Sequence, residues 1–210
     1  MLNTHEISCK RGSHLLWENL HLKVLPGEVL FVKGENGTGK SSLLRMLAGL
    51  LLPYEGSISW NDLDIHQHRY EYHGQLLYIG HQVALKPELN AIENLSSLLL
   101  LQGNNPSLTE IKHALEKWLI LGNTIHLPTK QLSQGQKQRV ALAQLTLSSR
   151  ALWILDEPFN GLDAQGANIL KEHLVQHHAA QKMTIITSHL HDNLQSMLPS
   201  LLAQEKILAL

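Results

Sequence analysis

The stretch that most limits what this chain can fold into is Gly34-Glu35-Asn36-Gly37-Thr38-Gly39-Lys40-Ser41-Ser42, a fit to G-x-x-x-x-G-K-[ST]. Glycines let the backbone bend until successive N–H groups point at one anion, a path that side chains would obstruct. Val29-Leu30-Phe31-Val32 before the loop reads as a buried strand, and Leu43-Leu44-Arg45-Met46-Leu47-Ala48 after it reads as a helix. A helix entered from such a loop presents free N–H groups and the positive end of its dipole to negative charge. The pattern therefore predicts a phosphate-binding loop for a nucleoside triphosphate. Lys40 would reach the β- and γ-phosphates, and the Ser41 hydroxyl would sit on Mg²⁺.

A loop of this kind needs a packed α/β body behind it. With 210 residues, 43% hydrophobic and 17% charged, the chain can bury a substantial core. A formal net charge of -1 supplies no global field for nucleic acid. The single cysteine, Cys9, excludes an internal disulfide and suits a reducing compartment. Apolar runs such as Leu50-Leu51-Leu52 and Leu98-Leu99-Leu100-Leu101 fall far short of the roughly 20 residues that span a bilayer. The first residues lack a basic region followed by an apolar one, so no secretory signal is expected. These features predict a cytoplasmic protein, or one held at a membrane by a partner. The paired histidines His66 and His68, His177 and His178, and His189 and His191 lack the cysteine or carboxylate company of a zinc site. They are expected on the solvated surface.

Local patterns fill in the body. Residues 1–33 read as strands broken by turns, and the alternation in Leu20-His21-Leu22-Lys23-Val24 predicts a half-buried antiparallel strand. Glu55–Trp60 and Leu76–Gly80 read as further strands. From about Asn90 to Leu127 the pattern turns helical: Asn90 with Glu93, and Ser107 with Glu110, bracket helix starts. Leu108, Ile111, Leu115, Trp118 and Leu119 recur at helical spacing. Beyond this insertion, a helix over Gln136–Leu147, a strand Leu152–Leu155, a helix over Ala164–His177 and a strand Met183–Thr187 alternate. Strands alternating with helices imply a parallel sheet with ligands at its carboxyl ends.

Two further segments bear on the triphosphate. Leu152-Trp153-Ile154-Leu155 ends in Asp156-Glu157, so Asp156 is placed to hold Mg²⁺ through water, complementing Ser41, and Glu157 to polarise the attacking water. In Leu132-Ser133-Gln134-Gly135-Gln136, a hydroxyl, a glycine and a helix N-terminus converge. That segment reads either as a second γ-phosphate site or as a plain serine N-cap.

At this point the chain resembles the ABC (ATP-binding cassette) ATPases, whose LSGGQ signature appears here as LSQGQ followed by KQRVALA. The resemblance covers nearly the whole chain, with motifs in family order. Asn160-Gly161-Leu162-Asp163 matches the D-loop, and His189 in Thr187-Ser188-His189 matches the switch histidine. It implies an α/β P-loop NTPase core with a mixed or parallel sheet, N-terminal antiparallel strands and a helical insertion. Residues 1–210 would form one ATP-binding domain, with 1–89 and 128–210 as core and 90–127 as a helical subdomain.

The resemblance also implies function. Two cassettes would pair head to tail as a homodimer, clamping ATP between the loop Gly34–Ser42 of one and Ser133, Gly135, Gln136 and Asp163 of the other. Mg²⁺ would be the cofactor, and Glu157 and His189 would serve hydrolysis. Within the family, Cys9-Lys10-Arg11-Gly12, the run from Ala84 to Leu95 and Ile154–Asn160 are similar to the ATP-binding subunits of cytochrome c maturation systems, the haem exporter group. That likeness implies integral membrane partners, a peripheral place on the cytoplasmic face of the bacterial inner membrane, and no nucleic-acid partner. The work would be haem export or release of a haem-loaded chaperone, with service to another small export system as the alternative.

Two departures stand out. Where many cassettes stack an aromatic ring on adenine, this chain has Arg11-Gly12, leaving Arg11 or Trp17 for that contact. Where a Q-loop glutamine usually stands, it has His81 followed by Gln82. A soluble ABC protein acting on DNA or ribosomes would carry a long coiled coil or two cassettes, and neither is present. A GTPase would carry Asn-Lys-x-Asp, which does not occur.

Overall fold

The computed structural model describes residues 1–187 and 205–210. His189 and His191 lie outside those residues. The chain divides into two compact units, one made of residues 1–78, 150–157 and 175–210, the other of 79–149 and 158–174.

In the first unit, β1 (Leu2–Arg11) and β2 (His14–Val24) run antiparallel, followed by β3 (Val29–Lys33), α1 (Lys40–Leu47), β4 (Glu55–Trp60), β5 (Leu63–Asp64), the short α2 (Arg69–His73) and all but the last residue of β6 (Leu76–Ile79). Among the described residues, β2-β1-β4-β5 form one sheet with antiparallel pairing throughout. The half-buried strand expected at Leu20–Val24 is the second part of β2. β1 carries a register shift between Thr4 and Ile7, where Glu6 takes φ 49. Gly56 nests against that irregularity: a Cβ there would stand 2.3 Å from the His5 carbonyl oxygen, so only glycine fits.

The other sheet has the order β6-β7-β8-β3-β9, with β7 (Leu152–Asp156), β8 (Met183–Thr187) and β9 (Glu205–Ala209). The pairs β3–β8, β3–β9 and β7–β8 are parallel, so β3, β7 and β8 present their carboxyl ends on one side. β7 and β8 are buried along their whole length, as central strands of a covered parallel sheet must be. Leu43, Leu44, Met46 and Leu47 of α1 pack into the core with Leu30, Val32, Ile154 and Ile185. Burying four such side chains is worth on the order of 6–12 kcal/mol. The Tyr72 hydroxyl, inside the core, donates to the Leu47 carbonyl and so finishes α1.

The second unit is helical: α3 (Ala91–Leu101), α4 (Leu108–Lys117), α5 (Gln134–Leu142), α6 (Gln144–Leu147) and the greater part of α7 (Ala164–Ala179). α3, α4 and α5 each open on a capping box, from Asn90 and Glu93, Ser107 and Glu110, and Ser133 and Gln136. Leu95, Leu99, Ile111, Leu115, Trp118, Leu142 and Leu145 are buried. Leu108 and Leu119 are not; α4 ends at Lys117, and Leu119, at φ 59, has left the helical path.

The helix expected over Gln136–Leu147 is two helices, starting earlier and broken at Ala143. The Ser133 cap starts the first turn at Gln134. The Gln144 side chain donates to the Ala141 carbonyl at 2.8 Å, taking an acceptor that the helical ladder would otherwise use.

His177 also departs from expectation. It is buried rather than solvated, stacked on Trp153 with ring centroids 3.7 Å apart. Its ring nitrogens lie 3.1 Å from Thr184 Oγ1 and 3.1 Å from the Arg150 carbonyl oxygen. Burial lowers its pKa to about 4 from the ordinary 6.5, so the imidazole is neutral at pH 7. One residue along the helix from the exposed Gln176, a rotation of about 100°, is enough to bury it, which polarity alone does not reveal.

Candidate active site

The loop between β3 and α1 turns on three glycines with positive φ, Gly34 at 154°, Gly37 at 92° and Gly39 at 103°. Each meets a different neighbourhood. A Cβ on Gly34 would stand 2.7 Å from Thr38 Oγ1, and one on Gly39 2.7 Å from Trp17 Nε1, while Gly37 faces open space. The loop is thus packed from below and bare on its ligand side. Gly39 is the N-cap of α1 and supplies no side-chain acceptor, which leaves the first N–H groups of that helix for an anion.

Lys40 is 8% exposed, and its ammonium donates to the carbonyl oxygens of Gly34 and Glu35 at 2.7 and 2.8 Å. An ammonium has three N–H donors, so the two bonds brace the loop and leave one for a phosphate oxygen. Thr38 closes the turn, donating its hydroxyl to the Glu35 carbonyl at 3.0 Å.

A cavity of about 190 Å³ opens over the loop, lined by Asn36, Gly37, Gly39, Lys40, Ser41, Ser42, Arg11, Leu16 and Glu157. Most of the loop residues expected from the motif are therefore walls of one cavity. Gly34, Glu35 and Thr38 shape it through the bonds just described. Of the two candidates for the adenine contact, Arg11 lines the cavity, whereas the Trp17 indole packs against Gly39 with its N–H buried. Leu16, which sequence reading missed, stands beside Arg11 as an apolar wall. Its one available signal was the unbroken Leu15-Leu16-Trp17 run interrupting the alternation of β2.

At the carboxyl end of β7, Asp156 is 3% exposed, and its Oδ1 accepts the Thr187 hydroxyl at 2.8 Å. Glu157 follows with φ 51, a left-handed backbone unusual for a side chain with a Cβ. Its N–H donates to Thr187 Oγ1 at 2.8 Å. Such a conformation costs on the order of 1 kcal/mol and marks a site where geometry is imposed. It brings Glu157 to the cavity wall beside Lys40 and Ser41. Thr187 is a second residue that the motifs did not expose. Ser41 and the buried carboxylate Asp156 are hard oxygen donors, the set that suits a Mg²⁺ ion. Tyr78, behind this end of the sheet, has its pKa raised by burial, partly offset by a hydrogen bond with Arg45.

The expected residues Ser133, Gly135, Gln136 and Asp163 belong to the second unit. Ser133 Oγ accepts the Gln136 N–H at 3.2 Å, and Gln136 Oε1 accepts the Ser133 N–H at 2.9 Å. The N-cap reading of Ser133 is thus realised, and the hydroxyl retains its own proton for a further partner. Gly135 passes so close to Gly161 that a Cβ would stand 2.6 Å from the Gly161 carbonyl oxygen. Asp163 Oδ1 accepts the Gly166 N–H at 2.8 Å, capping the first turn of α7, and pairs with the Arg139 guanidinium. The Gly166 N–H and then Arg139 hold its carboxyl below the usual range. His81 and Gln82 are both exposed after β6.

Comparison with known proteins identifies the family. The family model described as ABC transporter matches residues 17–160. The cytochrome c biogenesis ATP-binding export protein CcmA of Haemophilus ducreyi is 45% identical over 183 residues, covering 87% of each chain. The protein of the same name from Methylococcus capsulatus is 44% identical, covering 87% of this chain and 88% of its own. A bacterial ABC transporter cassette solved as a dimer superposes with a TM-score of 0.83 at 20% identity, over 100% of this chain and 94% of its own, a likeness of fold. The chain belongs to the ABC transporter family of nucleotide-binding ATPases, in the branch of the cytochrome c biogenesis ATP-binding export proteins.

Proposed function

We propose that the chain is the ATP-hydrolysing subunit of a membrane ABC complex in cytochrome c biogenesis, powering haem export or release of a haem-loaded chaperone. The observation that carries this reading is 45% identity, across 87% of the chain, to a protein named for that role. The cavity supports the ATPase part. Lys40 and the N–H groups of the loop and of α1 bind the β- and γ-phosphates. Arg11 and Leu16 border the space beside the phosphates and take the base. Ser41 and Asp156 would hold Mg²⁺, which neutralises charge on the phosphate oxygens when bound. Glu157 orients the attacking water and takes up its proton. His189 joins it at the γ-phosphate by family resemblance.

Ser133, Gly135, Gln136 and Asp163 complete the site of a second copy, as a head-to-tail homodimer requires. Ser133 keeps a free hydroxyl proton for that purpose, and the dimeric cassette of like fold supports the arrangement. Among the described residues no helix is long and apolar enough to cross a membrane. By its likeness to the export proteins, the chain sits on the cytoplasmic face of the inner membrane through integral membrane subunits, whose loops meet the helical subdomain at residues 90–127 and the segment His81–Asn94. Residues 1–89 and 128–210 form the core of the ATP-binding domain.

The test is complementation of a strain lacking the gene. The wild-type chain should restore haem-staining c-type cytochromes, and Glu157→Gln, expressed to the same level, should not. Normal cytochromes in the deleted strain would assign the chain to another export system. Restoration by Glu157→Gln would remove Glu157 from the hydrolytic role.

A further inference from the structure

Thr187 ends β8, fully buried, and the parallel register sets it directly beside Asp156 of β7. Along this strand pair most partners are apolar: Leu152 with Met183, Ile154 with Ile185, Leu155 with Ile186. A hydroxyl in such a place needs partners, and Thr187 has two. Its Oγ1 donates to Asp156 Oδ1 and accepts the Glu157 N–H, each at 2.8 Å. A hydroxyl has a single proton, so donating it to the carboxylate turns a lone pair toward the amide. One rotor therefore ties together two consecutive residues with different proposed tasks.

We infer that Thr187 is a positioning residue for hydrolysis, its hydroxyl setting at once the rotation of the Asp156 carboxylate and the left-handed backbone of Glu157. The inference rests on the roles proposed above for those two residues. With Oδ1 held, the carboxylate plane is fixed, so Asp156 meets a divalent cation without reorienting. With the N–H held, Glu157 stays at φ 51, the conformation that brings it to the cavity wall. Valine has nearly the shape of threonine and makes neither bond; serine makes both. A role confined to packing would reverse that order, because valine keeps both branches at Cβ and serine loses one.

The experiment compares wild type, Thr187→Val, Thr187→Ser and, as a control, Glu157→Gln. ATPase rates are measured against Mg²⁺ and ATP. Binding of Mn²⁺ is followed by electron paramagnetic resonance with a non-hydrolysable ATP analogue. Loss of hydrogen bonds to a buried carboxylate should lower kcat of Thr187→Val by about 10–100-fold and weaken Mn²⁺ binding by about 10-fold. Its KM for ATP should stay within about twofold, because Lys40 and the loop are untouched. Thr187→Ser should stay within about threefold of wild type throughout. The inference is overturned if Thr187→Val keeps the wild-type kcat and Mn²⁺ affinity, or if the serine and valine variants lose both equally. An active Glu157→Gln would instead count against the role given to Glu157, whatever Thr187 does.

Discussion

Gly135 and Gly161 meet so closely that the carbonyl oxygen of one occupies the space a side chain would need on the other, 2.6 Å from an ideal Cβ. The contact ties the N-terminus of α5 to the loop before α7. The nearby pair of Arg139 and Asp163 joins the same two segments.

A methyl group at position 135 must therefore push the Asn160–Asp163 loop aside, since the obstacle is backbone rather than a flexible side chain. Gly135→Ala should lower ATPase activity by about tenfold or more while leaving nucleotide affinity at the Lys40 loop within about twofold. Steady-state rates alongside equilibrium binding of a fluorescent nucleotide would separate the two. Unchanged turnover would mean the loop yields at no cost.

Asn94 is the polar centre of the segment leading into α3. It is 2% exposed, its Oδ1 accepts the Lys86 N–H at 2.7 Å, and its amide shares two N–H groups among the carbonyls of Lys86, Leu89 and Asn90 at 3.1, 2.9 and 3.0 Å. Asn94→Ala removes all four of these bonds, the acceptor of the Lys86 N–H among them, and should destabilise the chain by about 2–3 kcal/mol, or a Tm lower by about 4–12 °C. A Tm within about 2 °C of wild type would contradict this.

His177 ties stability to pH. Its folded pKa, about 4, lies below the ordinary 6.5. The unfolded chain therefore binds a proton between those values that the folded chain refuses. Its contribution to stability is full above pH 6.5, falls as pH drops, and levels off below about 4. The loss is on the order of 3 kcal/mol. Burial lowers the pKa of His173 in the same direction, so the comparison needs a variant. Thermal melts from pH 7.5 to 4.5 should show His177→Asn less stable at pH 7.5 and less sensitive to acid; parallel curves would count against it.

What the sequence made legible was local. The phosphate loop, its flanking strand and helix, and the capping boxes at Asn90, Ser107 and Ser133 are set by neighbours a few residues apart. So was the order of motifs that gave the family. What escaped depends on contacts distant in the chain. Thr187 reads as an ordinary strand residue until register places it beside Asp156. His177 reads as polar surface until α7 lays it on Trp153. Pairing of β9 with β3 and the place of Leu16 at the cavity depend likewise on topology. Local pattern gives no register between strands 31 residues apart, as Asp156 and Thr187 are.

Position 157 carries two opposed demands. The backbone there is one that glycine adopts freely, and the proposed chemistry asks for a carboxylate. A glycine would relax the turn and raise stability by up to about 1 kcal/mol, at the expense of turnover. The chain thus keeps a reserve of stability unused at the point proposed for its hydrolysis. A screen for thermostable variants would be drawn to this position and, if Glu157 has the role proposed for it, would return folded chains unable to hydrolyse.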